Sequence, residues 1–387
     1  MREVVVIGIG QTRVEEHWDK SLRELAGEAS LAALYNAGME RVDGVFVGNM
    51  MSASANHQQH LGAYIADWVG LRFSEAMHIE AACSSGAAAF RSALMSIASG
   101  ELDSALAVGV EKMTDSPGDE ITSQLATAAD ADFEAEQGLS FVAINALIMR
   151  RYMYEFGWKK EDFAPFSMNA HANGVFNPFA RFQKAITLEE YLRSGMIADP
   201  INLMDASPMG DGAAAVVLIA RDILKGPQGS SLVKILASSA ATDTIAVQDR
   251  QDPLWLKAAE TSVKKAFAQS GISREDIDFF ELHDAFSIMA CLSLEATGFA
   301  ERGQGPRLAL DGEIRPNGRI PIATRGGLKA RGHPVGASGM YQIVECVQQL
   351  RHECQETQVV DARIGMSQNI GGSGSNILTH IFQADTL

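Results

Sequence analysis

The chain is short of positive charge. Its 387 residues hold 32 Lys and Arg against 48 Asp and Glu, a formal charge of −16. Nucleic acid is therefore not an expected partner, because neutralising phosphates needs basic stripes. An anionic ligand would have to be met by local cations and backbone N–H groups. Long apolar runs are also missing, so no membrane span is expected. Cysteine is scarce: Cys83, Cys291, Cys346 and Cys354 show no disulfide-framework spacing, and a reducing cytoplasm is the expected location. The opening "MREVVVIGIG" runs straight into a strand and lacks the order of a signal peptide. "GIGQT" at Gly8 lacks the third glycine of a dinucleotide fingerprint. His57 and His60 have no evident third metal ligand, and Cys346, His352 and Cys354 make a poor set. No metal and no permanently bound cofactor are expected.

What is present is an ordinary globular composition, 47% apolar and 21% charged, which supports a large packed interior. Strand-like and helix-like runs alternate, giving an α/β expectation. The runs also repeat. "SLRELAGEASLAALYNAG" opens with a capping box, Ser21 with Glu24, and stops at Gly38; the strand "VDGVFVGN" follows. "DPLWLKAAETSVKKAFAQSG" has Asp252 as N-cap, Pro253 at the first helical position and Gly271 as stop; the strand "IDFFELHD" follows. "EAACSSGAAAFRSAL" then matches "ARGHPVGASGMYQIV", and "ALAVGVEKM" matches "ARIGMSQNIGG". Three correspondences in one order imply two similar halves. They are residues 1–225, with an insertion at about 114–204, and residues 226–387. The insertion carries Arg150, Arg151, Lys159, Lys160, Arg181 and Lys184, and fits a segment covering a cleft.

Four places can carry chemistry. Cys83 sits where a strand turns into a helix of small residues, and a helix N-terminus favours thiolate. A buried cysteine in a turn is the bland alternative. His333, in "RGHPVGASG", begins the equivalent helix of the second half, so both helix starts could face one cleft. A thiol beside an imidazole is the minimal activated nucleophile. His283 ends the strand "FFELHD", where catalytic groups tend to sit in α/β folds, and Asp284 either orients it or caps the next helix. "SQNIGGSGSN", from Ser367 to Asn376, offers backbone N–H groups to an oxyanion or is a plain glycine turn.

Together, "ACSSG", "HDAF", "GHPVGASG" and "NIGGSG" stand in the order of the thiolase superfamily. "NPFARFQKAITLEEYLRSGMIADPINLMDASPMGDGAAAVVL" resembles that family's passage from loop domain to core. The chain most resembles the sterol-carrier-protein-type and archaeal-type thiolases, which carry His-Asp where other thiolases carry Asn-Glu. The resemblance implies two stacked five-stranded mixed sheets flanked by helices, a loop domain and a homodimer. It implies acyl-CoA and CoA as substrates. It implies Cys83 as the acylated nucleophile, His333 as its base, and His283 at a first oxyanion hole. The backbone N–H groups of Cys83 and Gly371 would form a second hole, and Arg181 and Lys184 of the loop domain are candidate CoA contacts.

Two departures stand out. The second cysteine of most thiolases, near the C-terminus, is Asn369 here. Sterol-carrier-type members use a cysteine just after His-Asp, which is Ala285 here. The α-carbon proton then falls to His283, with an ordered water second. Some similar thiolases work with a small OB-fold and zinc-ribbon subunit, so CoA binding could be shared with another chain. The implied reaction is cleavage of a 3-oxoacyl-CoA by CoA through acyl-Cys83, or its reverse. A decarboxylating ketoacyl-synthase-like condensation, a retro-aldolase and a non-catalytic acyl-CoA scaffold stay open, as does the acyl group.

Overall fold

The computed structural model describes residues 2–224 and 232–385. Its strands are β1 (Val4–Gln11), β2 (Gly44–Gly48), β3 (Glu75–Ile79), β4 (Ser104–Glu111), β5 (Met196–Ala198), β6 (Ile201–Asn202), β7 (Gly212–Ala220), β8 (Val233–Thr242), β9 (Phe279–Glu281), β10 (Ile364–Gly371) and β11 (Asn376–Ala384). Nine of them run in the order β3-β2-β4-β7-β1-β8-β11-β10-β9, and β5 pairs only with β6. The two halves of this array meet at β1 and β8 through just two residue pairs, Val5 with Lys234 and Val6 with Val233.

Strand direction outward from that join shows the duplication. On one side β1, β7 and β4 are antiparallel, and β2 and β3 then run parallel to β4. On the other, β8, β11 and β10 are antiparallel, and β9 runs parallel to β10. The fifth strand of the second half shrinks to a single parallel bridge, Phe280 with Ile322. Ile322 O is taken by Asn169 Nδ2 at 3.0 Å, and Ala323 turns to φ 48°, so the chain leaves the sheet edge there.

The halves close on a layer of two helices, Ser85–Ser99 and Ser338–Leu350. Small residues make that approach feasible. A Cβ on Gly86 would lie 2.8 Å from Gly336 O, and one on Gly339 would lie 2.8 Å from the Ala87 Cβ. Alternation along β1 divides the core: Val4 and Val6 face this helix layer, while Val5 packs with Leu25 and Ala29 of the helix Leu22–Ala37. Ser21 and Glu24 form the expected capping box, and Gly38 closes the helix at φ 65°. The matching helix starts later than its sequence suggests, at Lys257. Asp252 Oδ1 instead accepts Leu254 N at 3.0 Å and holds a turn that buries Leu254 and Leu256.

Between β4 and β7 lie the helices Gly118–Ala126, Phe141–Phe156, Ala164–Gly174 and Leu188–Arg193 and the β5–β6 hairpin. Among the described residues no helix is long and apolar enough to cross a membrane.

Candidate active site

Cys83 leaves β3 through a tight turn. Ala82 holds φ 51°, a left-handed conformation costly for a residue with a side chain. Ser84 caps the turn by donating to Ala81 O at 2.6 Å, and Ser85 donates to Ala82 O at 2.6 Å. The strain presents the sulfur at the mouth of the helix layer with 8% of the residue exposed. Cys83, His283 and His333 line one cavity of about 370 Å³, so the two halves do contribute to one crevice.

The two imidazoles are 5.2 Å apart between ring centroids and cross edge to face at 89°. Their backing differs. His333 Nδ1 lies 2.6 Å from Ser338 Oγ, whose hydroxyl donates to Pro334 O at 3.0 Å. Nδ1 is then the donor of that pair and Nε2 carries the free lone pair. His283 Nδ1 receives Asn369 Nδ2 at 2.9 Å and the Ile370 amide at 3.3 Å. A backbone N–H can only donate, so this Nδ1 accepts and Nε2 carries the hydrogen. Burial keeps both rings neutral: His283 is pulled down to about 3, with Arg331 adding to the effect. His333 is held well below its ordinary value by burial, then by His283 and Arg331.

The thiol departs from expectation. A helix start lowers a cysteine pKa, yet burial pushes Cys83 up to about 12, and the Glu111 carboxylate adds to the rise. The amides of Gly372 and of Cys83 itself oppose it but do not overcome it. The pair is therefore thiol and neutral imidazole. The amide directed at the sulfur belongs to Gly372, which lines the cavity. Gly371, the donor expected from the motif, lies one residue back, where an added Cβ would stand 2.6 Å from Ala81 O and 2.8 Å from Ser84 Oγ.

Asp284 makes no bond to His283. It accepts Leu328 N at 2.6 Å and Lys329 N at 3.4 Å, fixing the turn Gly327–Arg331 that leads into His333. The chain before β7 fastens both histidine loops: Ser207 N donates to Ala285 O, and His333 N donates to Pro208 O. Arg181 and Lys184 are not brought to the cavity. Arg181 pairs with Glu16 at 2.6 Å and Lys184 with Glu190 at 2.9 Å. Their segment serves instead as a backbone clasp, Arg181 N on Arg331 O and Phe182 N on Ala330 O.

Glu111 was not singled out from the sequence. Its carboxylate ends β4 and accepts Met50 N, Met51 N, Asn49 Nδ2 and, across the halves, Gly336 N at 2.9 Å. Burial raises it to about 7 despite these donors. A charge closing the otherwise apolar run "SALAVGV" was the available signal. Among the described residues no cluster of His, Cys, Asp and Glu could hold a metal.

Two family profiles cover this architecture. "Thiolase, N-terminal domain" matches residues 4–222, and "Thiolase C-terminal domain-like" matches residues 239–384. The chain belongs to the thiolase family of acyltransferases. It is 44% identical over 384 residues to an acetyl-CoA acetyltransferase of Methanothermobacter thermautotrophicus, covering 99% of this chain and all of that one. It is 30% identical to sterol carrier protein 2 of Bos taurus, over 97% of this chain and 71% of that protein. Among solved structures, "Ltp2-ChsH2(DUF35) aldolase" superposes with a TM-score of 0.84 at 24% identity, covering 99% of this chain and 98% of that one; this likeness is one of fold.

Proposed function

We propose that the chain is a thiolase acting on 3-oxoacyl-CoA and CoA through an acyl-Cys83 intermediate. The observation that carries this is the single cavity lined by Cys83, His333 and His283. His333 Nε2 takes the thiol proton as the sulfur attacks the 3-keto carbon. His283 Nε2–H and the Gly372 amide stand where the thioester and keto oxygens gain charge. The carbon–carbon bond then breaks, and the acyl group passes from sulfur to free CoA. Because the resting thiol is not ionised, proton transfer belongs to the attack and does not precede it.

The lining selects the acyl group. Phe141, Val142, Ile197, Phe286 and Met289 make it apolar, and no lysine or arginine is among its described residues. Uncharged acyl groups are the proposed substrates, since an acyl carboxylate would be buried without a partner. About 370 Å³ holds an acyl group and the end of pantetheine, not a whole CoA. The phosphates must be met outside it. A second subunit on the mouth is the proposed source of those contacts, in keeping with the named pairing of the structurally similar aldolase. The core is proposed as a cytoplasmic homodimer, since β3 ends the sheet with Met77 half exposed, an edge another copy would cover.

Thiolysis assays with uncharged 3-oxoacyl-CoAs test this. Cys83→Ala should abolish turnover, and His283→Ala should cut it with little loss of fold. Retained thiolysis by the Cys83 variant would remove the mechanism.

A further inference from the structure

Breaking the carbon–carbon bond leaves an enolate that needs a proton at its α-carbon, and neither cysteine position that serves other thiolases is a cysteine here. Motif order favours His283 for this task. The hydrogen bonds favour the other ring.

His283 is held in one tautomer. Gln342 Nε2 is spent on three carbonyls, Leu282 O at 2.7 Å and Glu281 O and Gln368 O at 3.1 Å each. Its Oε1 must then face Asn369, and it accepts Asn369 Nδ2 at 2.7 Å. Turning the Asn369 amide over would set two oxygens against each other. The same Nδ2 reaches His283 Nδ1, and the Ile370 amide approaches that nitrogen from the main chain. Asn369 keeps this orientation although its own Oδ1 is buried with no hydrogen-bond partner among the described residues, a cost of about 1–3 kcal/mol. Gly339 makes room for it: a Cβ there would stand 2.7 Å from Oδ1.

Resting on the acyl-transfer reading, we propose that His333 alone carries the α-carbon proton, while Asn369 and Gln342 are positioning residues that keep His283 Nε2, the nitrogen free to meet substrate, a hydrogen-bond donor. The step balances. His333 Nε2 takes the proton of Cys83–SH as the sulfur bonds to the keto carbon. The carbon–carbon bond breaks, its electron pair goes to the α-carbon, and the imidazolium returns the proton there. A neutral ring and an acyl-Cys83 remain. CoA then gives its thiol proton to His333, its sulfur takes the acyl group, and the Cys83 thiolate recovers that proton. One base serves both half-reactions. A neutral His283 with its hydrogen on Nε2 has no lone pair to offer there and can only stabilise the enolate oxygen.

Deuterium uptake at the α-carbon of acetyl-CoA in D₂O, with protein in the Cys83→Ala background, isolates the proton step from acyl transfer. The background protein should exchange. Adding His283→Gln should slow exchange by about 10²–10³-fold at most, the usual loss for one oxyanion donor. Adding His333→Gln should bring it to the protein-free rate. Exchange that survives loss of His333 and vanishes with loss of His283 would overturn the assignment, as would a Cys83→Ala protein that does not exchange at all. Nitrogen NMR of the unaltered ¹⁵N-histidine protein reads both resting tautomers directly, and one variant then tests their cause. His283 should carry its hydrogen on Nε2 and His333 on Nδ1, and Asn369→Asp should reverse His283 alone. The opposite tautomers, or no change in Asn369→Asp, would refute the positioning role. Thiolysis by the unaltered chain is scored separately, so failure of the proton assignment leaves acyl transfer standing.

Discussion

Titrating the reactivity of Cys83 exposes the main electrostatic feature of the site. Burial moves this thiol from its ordinary 9.0 to about 12. Each pKa unit is worth about 1.4 kcal/mol, so the thiolate is about 4 kcal/mol harder to form than in an open cysteine. At pH 8 roughly one site in ten thousand is ionised, against about one in ten for an ordinary thiol. Only the thiolate reacts with iodoacetamide. The alkylation rate should therefore rise about tenfold per pH unit throughout pH 7–10 without levelling. Quenched digestion and mass spectrometry of the Cys83 peptide measures it separately from Cys291, Cys346 and Cys354, which are also buried. The slope is diagnostic even where access slows every rate equally. A plateau below pH 9 would show an acidic thiol and refute the claim that burial outweighs the helix start. Glu111→Gln should raise the rate at fixed pH, because the carboxylate is the second cause of the high value.

Two further substitutions test the frame around the site. Gly339→Ala forces a Cβ against Asn369 Oδ1 and Ala87, and should cost about 1–3 kcal/mol in denaturant unfolding; a neutral result would mean the helix layer is loosely packed. Arg331 and Glu345 form an ion pair at 2.8 Å with both side chains fully buried. Arg331→Met should destabilise by about 3–5 kcal/mol, and adding Glu345→Met should recover much of it, because the loss comes from an orphaned charge. No recovery in the double variant would place the cost in packing.

Much of the frame was legible because local chemistry and tertiary need agree. The Ser21–Glu24 box, the Gly38 and Gly271 stops and the paired small-residue helices mark the repeat in the chain itself. The bridge at Ile322 was not legible, since the chain leaves that edge for a side chain 153 residues away in sequence, Asn169. The late start at Lys257 follows from burying Leu254 and Leu256, a tertiary gain that overrides an N-cap signal. Cys83, His283 and His333 were identifiable from residue type at strand and helix ends, and the structure brings them to one cavity. The direction of the thiol shift was not, because burial and Glu111 are supplied by distant segments. Arg181 and Lys184 were suggested by charge and by their place in the loop domain, and the structure pairs them with Glu16 and Glu190 away from the cavity lining. Gln342 escaped notice altogether. Its signal was a polar residue on a helix buried all round, and its partners come from two distant segments, the end of β9 and β10.

Incubation of the protein with acetyl-CoA, followed by acid quench and peptide mass mapping, tests the central claim most directly. The account predicts one acetyl group on Cys83 that free CoA removes, and none in His333→Gln. An unmodified Cys83, or an acetyl group on another residue, would contradict it.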